Sequence, residues 1–150
     1  MPVFSKKTNE ILYVKYFENR PQIFSLDLNN LRSKKVGGFR GPNLAAAVNP
    51  TDPNKILLSA IVDSNSDIYE LDIAQNVATQ LTKSPAIDTT PSYSPDGKKI
   101  IWRASRPKTD AEVKEYKDFL AQDLVAPTNM EVWIANADGS NAHQVTSYGQ

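Results

Sequence analysis

The sequence contains an internal repeat. Pro91–Arg103 aligns without a gap on Pro2–Val14, so that aromatic, serine and strand-like positions coincide. A third copy, Ala46–Leu58, fits between them with one extra residue in its turn. The repeats begin at residues 2, 46 and 91, a spacing of 44 and then 45 residues. A chain with such a period folds as a row of equivalent units, each burying its faces against its neighbours.

A second landmark recurs in the later half of each unit, where a strand-like run is followed by a polar turn and another such run. The two runs are 13 residues apart in every unit, at Ile23 and Val36, Ile68 and Leu81, and Val132 and Val145. The β-branched and aromatic runs are only four to seven residues long, which favours strands over helices. Four short strands per unit at this period are typical of a β-propeller blade.

We therefore predict an all-β protein of four-stranded antiparallel blades, with three blades in one domain, 1–150. The blades cover approximately 2–45, 46–90 and 91–150. In the third blade the inner strand is predicted at Ser92 and Tyr93. The second strands are almost continuously apolar, as expected for sheets that are covered on both faces by adjacent blades.

Residues 107–130 interrupt the third blade and predict a helical insertion. Thr109 and Glu112 form a capping box. Apolar residues then recur at helical spacing up to Pro127, at Val113, Tyr116, Phe119, Leu120 and Leu124. An amphipathic helix of about three turns should lie on the face of the blade-to-blade connections. Its apolar stripe packs on its own blade or contacts a partner, and the sequence leaves both open.

The charge balance and the apolar pattern exclude several partners. Lys plus Arg and Asp plus Glu each count 17, so no net field holds nucleic acid or an anionic membrane. The longest apolar stretch, Ile56–Val62, is too short to span a bilayer. The first residues show no apolar region of a signal peptide.

The chain also lacks the residues that common catalytic sites need. It has no cysteine and one histidine, His143, which falls on the outermost strand of its blade. A catalytic triad, a multi-histidine metal site and thiolate chemistry are therefore unsupported within one chain. Neither a glycine-rich phosphate loop nor a suitably spaced carboxylate pair occurs. We expect no catalytic residues, no metal site and no cofactor.

Six residues are candidates for binding a ligand. Asp88, Thr89 and Thr90 come just before the predicted inner strand, so they should line the mouth of the central channel and attract a cation or a basic peptide. A local turn stabilised by Asp88 is the alternative. Arg103 and Arg106 flank the base of the insertion and suit a carboxylate ligand, although solvated or ion-paired arginines fit the same pattern. The sixth candidate, Tyr116, lies on the insertion.

One segment carries a family resemblance. Asp88–Trp102, with Asp67–Ile73 upstream and Gln80–Thr82 closing the blade, resembles the repeat of TolB-like β-propeller proteins. The resemblance covers the chain except residues 107–130. It implies a non-catalytic propeller scaffold for protein or peptide binding, of periplasmic or cell-envelope origin. The same resemblance also fits an accessory gating propeller of a prolyl-oligopeptidase-like or amidohydrolase enzyme.

The number of blades predicts self-assembly. TolB-like propellers have six blades, so this chain is a half-propeller, a fragment of a longer parent, or an engineered joining of two relatives. Three blades leave two faces uncovered, and monomers rarely expose large apolar faces. We expect a homodimer in which blade one of each copy packs on blade three of the other and closes a six-bladed ring. A protein or peptide ligand is expected at the loop face.

Overall fold

The computed structural model describes residues 2–122, 124 and 129–148, with Ala45 described by its backbone alone. Blade one consists of β1 (Val3–Ser5), β2 (Glu10–Phe17), β3 (Arg20–Asp27) and β4 (Ser33–Lys35). Blade two consists of β5 (Asn43–Val48), β6 (Lys55–Val62), β7 (Asn65–Asp72) and β8 (Val77–Gln80). Blade three consists of β9 (Ile87–Tyr93), β10 (Lys99–Ser105), β11 (Glu131–Asn136) and β12 (His143–Gln144). Successive strands of each blade pair antiparallel, which confirms the predicted propeller architecture.

The inner strand of blade three is longer than predicted. It begins at Ile87 rather than at Ser92, and a single parallel bridge from Ile87 to Ser66 joins it to blade two. Its pairing with β10 is irregular between Ile101 and Arg103, opposite the segment that contains Pro91. Proline interrupts a ladder and marks bulges, so the sequence suggested a strand start where the strand only bends. Asp88, Thr89 and Thr90 therefore lie within β9, not before it.

Two hydrophobic clusters hold the three blades together. One joins blades one and two and contains Leu12 and Ile23 with Ile56 and Leu58. The other joins blades two and three, through residues such as Leu57, Ile68, Ile100 and Trp102. Successive residues of a strand point to opposite faces, so Ile56 and Leu57 belong to different clusters although both are fully buried. Burial on both faces explains why the sequence of β6 is almost continuously apolar.

Blade three has a face that no following blade covers within the described residues. We call the face that packs on the following blade the forward face; in blade three it carries Ile101, Arg103, Val132 and Val145. Ile101 is 43% exposed and Val145 is 58% exposed. Leu57 and Val36, at the equivalent repeat positions of blades two and one, are 0% and 3% exposed. The forward face of blade three thus has the apolar pattern of a buried face without a neighbour.

Blade one has a matching face on which no described blade packs. We call the face that packs on the preceding blade the rear face. In blade one it carries an aromatic and aliphatic set, Phe4, Ile11, Tyr13, Lys15, Phe24 and Leu26. Phe4 is 51% exposed, whereas the equivalent Tyr93 of blade three is 9% exposed. The two ends of the blade row therefore expose surfaces that bury each other elsewhere in the same chain.

The insertion forms the predicted helix, α1 (Asp110–Leu120), between β10 and β11. Thr109 caps the helix: its hydroxyl accepts from the backbone N–H of Glu112. The Glu112 carboxylate accepts from the backbone N–H of Thr109, which confirms the capping box. Leu124 lies beyond the helix and is exposed, and Pro127 is outside the described residues. No helix in the described part of the chain is long and apolar enough to cross a membrane.

Candidate binding site

The centre of the site is an ion pair between two residues that the sequence singled out separately. Asp88 lies opposite Ala104 of β10, and its side chain has no exposed surface. Arg106 follows β10 and donates to both Asp88 carboxylate oxygens, from Nη2 at 2.9 Å and from Nε at 3.4 Å. A cation that also donates hydrogen bonds offsets the cost of burying a charged carboxylate. Arg106 is therefore ion-paired, which is the second of the two roles that its position suggested.

Arg106 also covers an indole ring. Its guanidinium carbon lies 4.0 Å from the centre of the Trp133 ring and 5.8 Å from that of Trp102. Cations on aromatic faces are stabilised by the ring quadrupole. The Asp88 bond and the Trp133 contact together fix the guanidinium in one orientation.

A pocket of about 520 Å³ opens beside this pair, between α1 and blade three. We call it the helix–blade pocket. Its lining includes Arg106, Lys108, Glu115, Tyr116, Phe119 and Trp133. Aromatic walls with a few charged groups at defined positions are typical of ligand sites.

Tyr116 holds the helix over the boundary between blades two and three. It is buried, and its hydroxyl donates to the carbonyl oxygen of Ala86 at 3.1 Å. Burial is the main cause that raises the pKa of Tyr116, and the nearby Asp67 and Asp88 carboxylates add to it. The hydroxyl thus stays protonated and keeps donating over the ordinary pH range.

Carboxylates stand on both sides of the helix–blade pocket. Glu112 accepts from the backbone N–H of Lys108 at 2.6 Å and of Thr109 at 3.0 Å, and these bonds hold the pKa of Glu112 below its usual value. Glu115 also lines the pocket, and its side chain has no hydrogen bond or ion pair among the described residues. Glu131 lies on the wall formed by blade three. This charge favours a basic or amide group in the pocket.

The other three predicted residues lie apart from the pocket. The Thr89 hydroxyl is 3.4 Å from that of Ser59 and links blades two and three. Thr90 is exposed and has a φ of 51°, at the irregular point of the β9–β10 pairing. Arg103 is exposed on the forward face of blade three. Of the six, Arg106 and Tyr116 line the helix–blade pocket, and Asp88 binds Arg106 from the buried side.

A threonine and a carboxylate that the sequence did not single out join the end of blade two to its third strand, β7. The Thr82 hydroxyl accepts from the backbone N–H of Ile68 at 2.9 Å and donates to Asp67 Oδ1 at 3.2 Å. Asp67 is buried, and burial is the main cause that raises its pKa above the ordinary value. One hydroxyl therefore satisfies a strand N–H and a buried carboxylate together.

Blade three repeats this arrangement. The Thr146 hydroxyl accepts from the backbone N–H of Val132 at 2.9 Å and donates to Glu131 Oε2 at 2.5 Å. Carboxylate and threonine are 15 residues apart in both blades. Blade one has Gln22 and Gly37 at the equivalent positions, so it lacks both partners. The joint presence or absence of the two residue types was the signal in the sequence.

A second pocket, of about 550 Å³, lies on blade one. Its lining includes Phe17, Glu18, Arg20, Gln22, Lys35 and Arg40. The Arg20 guanidinium donates to the carbonyl oxygen of Arg40 at 3.1 Å, and the Lys35 ammonium lies 5.6 Å from the centre of the Phe17 ring. No ion pair within the described residues involves these three cations. We call this the basic pocket.

No metal centre is found in the part of the chain that the structure describes, where no three histidine, aspartate or glutamate side chains are grouped to hold an ion. His143 is exposed on β12, and its Nδ1 lies 2.9 Å from the carbonyl oxygen of Asn141. These contacts assign it a surface role.

Comparison with known proteins identifies the family of this propeller. Residues 1–110 match the family described as the TolB beta propeller domain. The chain belongs to the TolB β-propeller family. The Tol-Pal system protein TolB of Dinoroseobacter shibae is 39% identical over 89 residues, which cover 59% of this chain and 20% of that protein. The Tol-Pal system protein TolB of Wolinella succinogenes is 27% identical over an alignment that covers 99% of this chain and 34% of that protein.

Solved TolB and enzyme structures share the fold. The crystal structure of TolB from Acinetobacter baumannii has a TM-score of 0.71 at 19% identity, covering 97% of this chain and 31% of that one. The tricorn protease has a TM-score of 0.62 at 10% identity, covering 93% of this chain and 12% of that one. The chain thus spans about a third or less of these TolB proteins.

Proposed function

We propose that this chain is a non-catalytic binding module, in which an extended protein or peptide segment docks in the helix–blade pocket. The observation that carries the proposal is Arg106, held between the buried Asp88 carboxylate and the Trp133 ring at the edge of that pocket. A group fixed from two sides presents a surface that needs no ordering when a ligand binds. Trp133 and Phe119 supply the apolar contact.

The charges of the helix–blade pocket select the docked side chain. The charge of Arg106 is balanced by Asp88, whereas Glu115 has no partner among the described residues. A lysine or arginine side chain would place its aliphatic part on the aromatic wall and its cation near Glu115. The proposed ligand is therefore a segment with a basic side chain.

We further propose that two copies close a ring, with the forward face of blade three in one copy on the rear face of blade one in the other. The exposure of Ile101, Val145 and Phe4 supports this, since the equivalent positions are buried between the blades of one chain. A head-to-tail contact repeated about a two-fold axis forms two such seams and leaves no blade face open. The relatives are named as Tol-Pal system proteins, and we propose that a protein carrying these blades acts in the same kind of assembly, in the periplasm or cell envelope.

Selection of peptides from a random display library on the immobilised chain tests the binding proposal. We expect enriched sequences to carry a lysine or arginine and to be lost on Glu115→Lys. Asp118→Lys is the matched control, because Asp118 is an exposed carboxylate on the same helix outside the pocket. Peptides that bind the wild type and Glu115→Lys equally, or no enrichment at all, would contradict the proposal.

A further inference from the structure

The contacts between blades within the chain give the register of a closing seam. Val14 on the forward face of blade one and Ala60 on the rear face of blade two belong to the same cluster. The equivalent pair at the next boundary is Ser59 and Ala104. At both internal boundaries these second-strand positions thus carry small, uncharged side chains, and carboxylates lie opposite the alanines: Asp67 opposite Ala60, and Asp88 and Glu131 opposite Ala104.

The two uncovered faces have cations at these positions. Arg103 occupies the forward position that is Val14 in blade one and Ser59 in blade two. Lys15 occupies the rear position that is Ala60 in blade two and Ala104 in blade three.

Neither cation has an acidic partner in the part of its own chain that the structure describes. Within the described residues, no ion pair involves Lys15 or Arg103. The Lys15 ammonium lies 5.2 Å from the centre of the Phe24 ring, on the rear face itself. Each of the two exposed faces therefore presents an unpaired positive charge among apolar side chains.

Closure in the internal register would bring Arg103 of one copy against Lys15 of the other. Like charges at an interface that excludes water are strongly unfavourable. The basic pocket adds to this charge, because Arg20 and Lys35 also lie on the rear face of blade one. The proposed head-to-tail dimer, on which this inference rests, therefore needs a negative group at each seam.

We propose that each seam binds one oxyanion between Arg103 of one copy and Lys15 of the other, and that ring closure depends on it. The guanidinium of Arg103 offers two parallel donors to two oxygens of a phosphate or carboxylate, and Lys15 supplies a point charge. Phosphate and carboxylate groups share this chemistry. A two-fold ring would hold two anions, one at each seam.

The test is the dimer dissociation constant, measured by sedimentation equilibrium in chloride, phosphate and acetate at matched ionic strength and pH. We expect a constant at least about tenfold lower in phosphate or in acetate than in chloride. The acetate arm separates a carboxylate site from a phosphate site. Equal constants in all three anions would overturn the inference.

A double variant, Lys15→Ala with Arg103→Val, gives each face the residue that an internal blade carries. It should dimerise in chloride and lose the dependence on phosphate. Phosphate also strengthens the association of apolar surfaces in general, and it does so equally in this variant. The double variant is therefore the control for that general effect. If the folded double variant stays monomeric in every buffer, the dimer itself is refuted. If the wild type dimerises equally in chloride and phosphate, only the anion site is refuted.

Discussion

Replacing Arg106 by leucine would leave the buried Asp88 carboxylate without its cation while keeping an apolar side chain near Trp133. Asp88 has no exposed surface, and the Arg106 side chain is 19% exposed. Removing one partner of a buried pair destabilises proteins by roughly 3–5 kcal/mol. Because water reaches the arginine side, we expect a loss of about 3 kcal/mol in the free energy of unfolding. For a chain of this size that lowers Tm by roughly 6–12 °C.

Urea denaturation at one fixed protein concentration, followed by tryptophan fluorescence, measures this loss. The matched control is Asp88→Asn in the Arg106→Leu background. Blade two already has an asparagine, Asn43, at the equivalent position, where it pairs with Ala60 and is buried. The double variant should therefore recover most of the lost free energy, since a neutral amide replaces the unpaired charge.

Two results would contradict the dependence of the Asp88 carboxylate on Arg106. Arg106→Leu within about 0.5 kcal/mol of the wild type would mean that the carboxylate does not depend on the arginine. A double variant less stable than Arg106→Leu would mean that the carboxylate charge itself is needed at this position.

Three further predictions concern the blade closures and the helix. Thr82→Val should lower the free energy of unfolding by about 1–3 kcal/mol in urea, because the Ile68 N–H and the Asp67 carboxylate both lose a partner; a neutral effect would show that the hydroxyl is dispensable. Burial raises the pKa of Asp67, so its contribution to stability should fall as the pH rises from the ordinary value of 3.8 to the raised one. Asp67→Asn should remove that part of the pH profile of the unfolding free energy, and a parallel profile in the variant would contradict the assignment. Tyr116→Phe should cost about 1 kcal/mol and speed amide exchange in α1, since the bond to the Ala86 carbonyl is lost; unchanged exchange would show that the hydroxyl does not anchor the helix.

The sequence was sufficient for the propeller because the fold repeats. The almost continuous apolar run of β6 and the regular spacing of landmarks such as Ile68 and Leu81 indicate strands directly. The helix could also be predicted from the sequence, since the capping box of Thr109 and Glu112 is a local signal. Local and periodic patterns in the sequence predict these elements without knowledge of the tertiary contacts.

Only part of the site could be predicted from the sequence, because the site depends on tertiary contacts. Asp88 and Arg106 were both singled out, but they are 18 residues apart in the sequence. They pair across an irregular strand pair, which no local rule predicts. Because Pro91 suggested a later strand start, Asp88 was expected at the mouth of the channel. It lies instead within β9 and is buried. Trp133 follows Val132 in a strand-like run of the sequence, and only the packing of α1 makes it a pocket wall.

The mass of the chain in solution shows whether two copies close a ring. Light scattering over a concentration series in phosphate buffer should give twice the chain mass of 16.6 kDa. Ile101→Glu, on the forward face of blade three, should return the mass to that of one chain without unfolding it. A folded wild-type protein that stays at 16.6 kDa at every concentration would contradict ring closure by two copies.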